Sequence, residues 1–462
     1  MAPELLMEIC LTNPPGRKFS APRPDASRLL AYDVLHEVNH KAGYSNLLLP
    51  KALSQSSLDE RDRAFATELV YGTLRMQGRH DWILGQASDR PWLEVDPALV
   101  DVARLGAHQL FEMRVPTHAA VSATVELGRK VLGESKASFL NAILRKVSKK
   151  SLDEYVEEIS MIKDDFERLE ILHSHPQWII SAYMDQLGDL QEVEQLLIAN
   201  NIAPRPTLVS WPGLSTQSDL VEVGAIPTIY SPYGAIFDGS PASLDLIISR
   251  KAGVQDEGSQ LVADVFAQVS MNQNSWLDLC AGPGGKAALL SALAKTKGIN
   301  FTANEISEVR AKLVGQVVQG AVVTTVDARE IATTGKTYGA ILADVPCTGL
   351  GALRRRPEVR WRRTVTDLKS LVVLQSEIID AAISVLEPGG IFGYATCSPH
   401  LSETRIAVSE TLKRHPDMET VDVTPFLHPD LHNSGVDRAS MTLWTHRHNT
   451  DAMFLSVMRK KK

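Results

Sequence analysis

SWLDLCAGPGGKAALL, residues 275–290, carries an apolar run through a glycine-rich turn into a helix-length segment. Strand, tight loop and helix in that order make half of a βαβ unit. Four more apolar runs follow it, NFTANE, AVVTTVDA, YGAILADVP and GIFGYATCS, each separated by a helix-length spacer. That alternation predicts a doubly wound parallel sheet, a Rossmann-like α/β domain over residues 255–462. Near the end, MTLWTH and AMFLSVMRK read as a closing antiparallel pair.

Upstream the period changes. In ASRLLAYDVLHEV the residues Leu29, Leu30, Val34, Leu35 and Val38 fall on one helical stripe, and ERDRAFATELVYGTLR, VDVARLGAHQLFEM and HAAVSATVELGRKVL repeat the pattern. Residues 25–150 are therefore expected to form an all-helical domain of six or seven helices, with Asp25 and Asp59 as N-caps. Residues 151–254 continue as a helical linker. At APRPTLVSWPGL they switch to a small α+β connector, with strands at TLVSW and AIFDG and a helix at PASLDLIIS. Prolines at 3, 14, 15, 22 and 24 mark residues 1–24 as a flexible tail. A chain of 462 residues accommodates such a multidomain plan.

The formal net charge of −7 excludes a generally basic nucleic-acid coat, yet six arginines lie between positions 354 and 363. Local charge decides binding, so RNA remains a candidate partner. The four cysteines, at 10, 280, 347 and 397, have neither CxxC pairing nor zinc-ligand spacing, which predicts a reducing compartment and no metal. No apolar stretch is long enough to span a bilayer, and Glu4 and Glu8 interrupt the start where a signal peptide is apolar. A cytoplasmic protein without a membrane partner is expected, a monomer being favoured although the sequence does not fix the oligomeric state.

Ligands of open α/β sheets bind beyond the C-terminal strand ends. The first such end is the loop Cys280, Ala281, Gly282, Pro283, Gly284, Gly285, Lys286, which lacks the Ser or Thr that a Walker A loop places after its lysine. Glu305 ends the second strand, where a carboxylate accepts ribose hydroxyls, and Asp327 ends the third, where it receives an adenine amino hydrogen. Either could instead be an ordinary helix-terminal charge or cap. Together they describe a pocket for an adenosyl ligand without a phosphate, S-adenosyl-L-methionine. Asp344, Val345, Pro346 and Cys347 end the fourth strand, and Ala395, Thr396, Cys397 and Ser398 the fifth. Neighbouring strands lie about 4.8 Å apart, so the two thiols can face one small planar substrate. Cytosine C5 is a weak nucleophile until a thiolate adds to C6, which is covalent catalysis. Asp344 is positioned to be the acid near N3, and a second thiol can assist loss of the C5 proton. Arg354, Arg355, Arg356 and Arg360 are read as holding the phosphates that flank a flipped-out nucleotide. Trp361 is read either as a base-stacking or as a packed aromatic.

CAGPGGK, DVPCTGLGALRRRPEVRW and YATCS resemble motifs I, IV and VI of the RNA 5-methylcytosine methyltransferases. The helical front domain is similar to the NusB-like RNA-binding module of the bacterial RsmB/Sun group. The likeness extends over residues 25–462. It implies an all-α NusB-like domain before a class I methyltransferase domain, with S-adenosyl-L-methionine held by Cys280 through Lys286, Glu305, Asp327 and Asp344. It also implies Cys397 as nucleophile and Cys347 as the residue that promotes product release. The front domain favours small-subunit (16S) ribosomal RNA as substrate. Transfer RNA, or a non-catalytic role as an RNA-binding assembly factor, are the alternatives.

Overall fold

A computed structural model describes residues 25–432 and 436–462. The expected tail at 1–24, with Cys10, lies outside the described residues. Seven helices occupy residues 25–150: α1 Ala26–His40, α2 Ser45–Ser54, α3 Glu60–Arg75, α4 Gln77–Gly85, α5 Pro97–Phe111, α6 Thr117–Leu132 and α7 Glu134–Val147. Both expected caps form, Asp25 Oδ1 accepting from Ser27 N at 2.7 Å and Asp59 Oδ1 from Asp62 N at 2.8 Å. Each satisfies a first-turn amide that has no intrahelical acceptor. Leu35, Val38, Leu69, Leu74, Leu105 and Leu140 meet in one core, so the helical stripes converge.

Four more helices, α8 Leu152–Ser160, α9 Asp165–His173, α10 Gln177–Leu187 and α11 Leu190–Asn200, lead to a small antiparallel sheet. Its strands lie in the order Ile226–Pro227, Gly234–Ile236, Thr207–Ser210, Ala252–Val254. The helix expected at PASLDLIIS is replaced by two single turns, Pro241–Ser243 and Asp245–Ile248. Leu244 between them takes extended backbone, φ −82° and ψ 130°, which no helix can pass through.

The strands β1 Ser275–Asp278, β2 Asn300–Asn304, β3 Val322–Thr324, β4 Tyr338–Asp344 and β5 Leu386–Thr396 are parallel, in spatial order β3, β2, β1, β4, β5. Phe454–Lys460 and Ser440–Thr442 extend the sheet past β5 as antiparallel neighbours, the closing pair expected from the sequence. β4 is buried on both faces. Ala340 and Leu342 share a core with Phe266 and Leu289, while Ile341 and Ala343 pack with Ile379 and Ile383. Its uninterrupted apolar run follows from that double burial. Strand order reverses at β1, which has β2 on one side and β4 on the other, so a crevice opens beyond their C-terminal ends. Among the described residues no helix is long and apolar enough to cross a membrane.

Candidate active site

The crevice is a cavity of about 1140 Å³, large enough for a drug-sized ligand with space for a second reactant. Cys280, Gly282, Pro283, Lys286, Glu305, Asp327 and Asp344 line it. The loop after β1 can reach this shape only with glycines. A Cβ at 282 would stand 2.1 Å from Glu305 Oε2, and Gly284 has φ +118°. Ala281, Gly284 and Gly285 shape the turn and do not line the cavity; Ala281 N donates to Asn304 O at 2.8 Å.

Glu305 is buried and fixed by three donors. Gly282 N reaches Oε2 at 3.0 Å, Ser307 N reaches Oε1 at 2.8 Å, and Arg310 lies 2.7 Å from Oε1. One acceptor position on Oε2 is left toward the cavity. Asp327 both caps the turn Ala328–Thr334 and lines the crevice. The Arg329 guanidinium, 2.6 Å away, holds its carboxyl below the usual range. A ribose hydroxyl and an adenine amine fit these acceptors, and the missing Cβ at 282 is what lets the Glu305 carboxylate close on the loop.

Lys286 Nζ donates to Asp344 Oδ2 at 2.8 Å. Burial opposes the charge on Lys286, yet the Asp344 carboxylate outweighs it and keeps the ammonium above its ordinary range. Beneath this pair lies Asp278, absent from the sequence-derived site residues. Burial, and then the charge of Asp344, push it up to about 7, against the opposing effects of Lys286 and of the Cys280 backbone amide. Its position at the C-terminal end of β1 was the available signal.

Asp344 stands opposite Ala395 in the β4 to β5 register, which brings the following thiols together. Cys347 Sγ and Cys397 Sγ are 3.4 Å apart, and both face the cavity. The two sulfurs are inequivalent. A hydrogen bond from Cys347 lowers the Cys397 pKa against the opposing effect of burial, and Arg356 and Lys286 favour the same thiolate. Cys347, as donor to that sulfur and buried, is pushed well above the ordinary thiol range. Of the two, Cys397 is therefore the sulfur that ionises more readily and Cys347 the one that holds its proton more tightly.

A buried carboxylate fixes both loops. Glu403 Oε1 accepts from Thr348 N at 2.8 Å and from Gln375 Nε2 at 3.0 Å, while Oε2 accepts from the Thr348 hydroxyl. The Thr348 hydroxyl also lies 3.0 Å from Ser398 Oγ, and Gly351 N donates to Cys397 O at 2.8 Å. Glu403 was not singled out from the sequence, because nothing in SPHLSETR says that its glutamate is fully buried.

The arginine reading requires correction. Arg354 and Arg355 form a charge-balanced cluster with buried Asp256 and Asp451, at 2.6 to 3.0 Å. Arg360 is fully buried and donates to Arg75 O, Ser174 O, Asn200 O and Asn201 Oδ1. Arg354 and Arg360 are consumed inside the protein, and Arg355, a quarter exposed at the cavity, is already neutralised by Asp256 and Asp451, so none of the three is a free cation. Arg356 alone of the four has a guanidinium without a hydrogen bond or ion pair among the described residues. It lies near both thiols, whose charge raises its pKa in spite of burial. Trp361 packs against Gly78, where a Cβ would stand 2.5 Å from its ring, so the packed reading holds. Arg360→Met is expected to leave its four acceptors unpaired and to destabilise the fold by about 3 kcal/mol. The melting temperature should fall by roughly 5 °C or more; a circular dichroism melt that superimposes on the wild type would contradict this role.

Residues 267–459 match the family described as 16S rRNA methyltransferase RsmB/F, and residues 25–149 match the NusB family. Ribosomal RNA small subunit methyltransferase B of Pseudomonas putida is 31% identical over 86% of this chain and 91% of its own. The chain belongs to the RsmB/F methyltransferase family. A protein of Mycobacterium tuberculosis strain H37Rv named as a methyltransferase is 41% identical over 94% of this chain and 97% of its own. Among solved structures, PH0851 superimposes with a TM-score of 0.77 at 21% identity, covering 96% of this chain and 100% of that one. NSun6 from Pyrococcus horikoshii gives 0.55 at 17% identity, covering 63% and 100%. These two likenesses concern the fold. Family membership makes the protein an S-adenosyl-L-methionine-dependent RNA methyltransferase with a NusB-type front domain.

Proposed function

We propose that the protein methylates cytosine at C5 in 16S ribosomal RNA through a transient bond between Cys397 and C6. The observation that carries this reading is the inequivalent pair of thiols, 3.4 Å apart, at the ends of adjacent strands in the cofactor crevice. Methyl transfer to an RNA oxygen or exocyclic nitrogen needs no thiol, and binding alone needs neither. When bound, S-adenosyl-L-methionine supplies an electrophilic methyl group. Cys280, Gly282, Pro283, Lys286, Glu305, Asp327 and Asp344 would hold it, in a loop whose turn Ala281, Gly284 and Gly285 shape, with the helical region 25–150 and connector 151–254 in front of the catalytic part.

In this reading the Cys397 thiolate adds to C6, the C5–C6 π electrons move onto C5, and N3 gains a proton from the Asp344 and Lys286 pair. Carbon 5 then takes the methyl group. Once Cys397 is bonded to carbon, the thiolate that raised Cys347 is gone, so Cys347 releases its proton to water and accepts the one from C5. The C6–S bond breaks, the ring double bond returns, and N3 gives its proton back. The net result is one methyl gained and one proton released.

The test incubates purified protein with tritium-labelled cofactor and unmodified 16S ribosomal RNA or, separately, transfer RNA, followed by bisulfite sequencing. One bisulfite-resistant cytosine in the ribosomal RNA is the expected outcome. Label confined to transfer RNA would shift the substrate, and label at bisulfite-sensitive positions would refute the C5 chemistry.

A further inference from the structure

We propose that Arg75, at the C-terminal end of α3, is a phosphodiester-binding residue by which the helical domain grips the substrate strand inside the catalytic cleft. The inference rests on the reading of RNA as substrate and adds a binding subsite to it.

Arg75 is 6% exposed, and among the described residues its guanidinium makes no hydrogen bond or ion pair. Its Nε is buried without an acceptor. Burial pulls its pKa down, so the fold alone does not stabilise this charge. Glu68, the carboxylate that acts most on it, turns instead toward His108, with Oε1 3.4 Å from Nε2. A buried cation left without a partner costs stability unless a ligand supplies the missing anion. The neighbouring buried cation, Arg360, spends both terminal nitrogens on carbonyl groups, leaves its Nε unpaired, and brings no carboxylate either. Arg75 and Glu68 both line this wall of the cleft, whereas Arg360 is fully buried and does not reach it.

The location says which anion. Arg75 lines the same cavity as Cys397, Cys347 and Arg356, although it comes from the other domain. Its own carbonyl is tied at 2.9 Å to Arg360, which follows Cys347 on the same loop, so the end of α3 is fixed relative to the thiols. Tyr71 lies one helical turn before Arg75 and also lines the cavity, offering a ring face beside the cation. A guanidinium that binds two diester oxygens at once, next to an aromatic face, suits a single RNA strand whose target base enters the pocket.

The test uses the full chain with Arg75→Gln and Arg75→Lys, checked for folding by thermal melts. Fluorescence anisotropy of a labelled single-stranded RNA oligomer, titrated over a range of salt, is measured beside kcat and KM for methyl transfer. Arg75→Gln should weaken RNA binding about tenfold and reduce the slope of log affinity against log salt by about 0.7, the loss of one phosphate contact. The cofactor affinity and kcat at saturating RNA should hold. Arg75→Lys should keep the salt slope but bind several-fold more weakly, for want of the bidentate contact. Wild-type affinity and slope in Arg75→Gln would overturn the subsite whatever the transfer assay gives. If Arg75→Gln is unstable, Arg75→Lys decides alone, and wild-type affinity in it overturns the proposal. A wild-type protein that binds RNA without methylating it refutes the reaction, while the anisotropy series still judges Arg75. One that binds no RNA refutes both.

Discussion

Cys397→Ala is expected to abolish methyl transfer while S-adenosyl-L-methionine still binds with wild-type affinity. Without a sulfur bonded to C6, carbon 5 remains part of an aromatic ring and is a poor match for the methyl group. The expected loss is more than about 10⁴-fold, or upward of roughly 5.5 kcal/mol in barrier. Cofactor binding should survive because Glu305, Asp327 and the 280–286 loop are fixed by contacts that do not involve this thiol. The wild-type rate should rise with pH and level off below the pH at which a free thiol ionises, since the Cys347 hydrogen bond lowers Cys397. Isothermal titration with cofactor and a filter assay on labelled RNA separate the two effects. Turnover within a factor of a hundred of wild type would remove the covalent step.

The parallel sheet was legible because its strands are apolar runs bounded by turn chemistry and separated by helix-length spacers, so local pattern and global placement agree. The thiols were legible for a related reason. Both stand just past a strand, where the topology fixes their position without help from distant residues. The arginine loop shows the limit of this kind of reading. Six arginines in ten residues look like an exposed cationic patch, but what neutralises them lies far along the chain. Arg354 finds Asp256 across 98 positions, and Arg360 finds the carbonyl of Arg75 across 285. Local density of charge carries no information about acceptors that only folding supplies. PASLDLIIS failed on a smaller scale, one extended residue at Leu244 outweighing helical propensity on both sides.

The same long-range contacts fix the helical domain against the loop that carries Cys347. Glu358 accepts from Ser45 N at 3.1 Å and Ser45 Oγ at 2.8 Å at the start of α2, and Arg362 reaches Val38 O and Gly43 O at 2.9 and 2.6 Å. The loop that begins at Cys347 is thus held at one end by Glu403 and the sheet, and at the other by α1, α2 and α3. Its length between these anchors positions Arg356 beside the thiols. A front domain that served only to recruit RNA would need none of these bonds.

Cys347→Ala should leave the attack on C6 intact and block the exit from it. Cys397 loses its hydrogen-bond donor in this variant, so its thiolate is less favoured, but Arg356 and Lys286 still act on it. The adduct forms and carbon 5 is methylated. No thiol then stands 3.4 Å from the bonded sulfur to accept the C5 proton, and turnover falls by about 10²- to 10⁴-fold, the range for a positioned base. The protein should accumulate as a covalent complex with RNA, seen as a slow-migrating band on a denaturing gel when RNA and cofactor are both present. Ribonuclease digestion should collapse the band, and the variant lacking both thiols should never show it. If Cys347→Ala gives no such band under conditions where the wild type is active, the division of labour between the two sulfurs is wrong. A band that forms only with Cys397→Ala would reverse their roles.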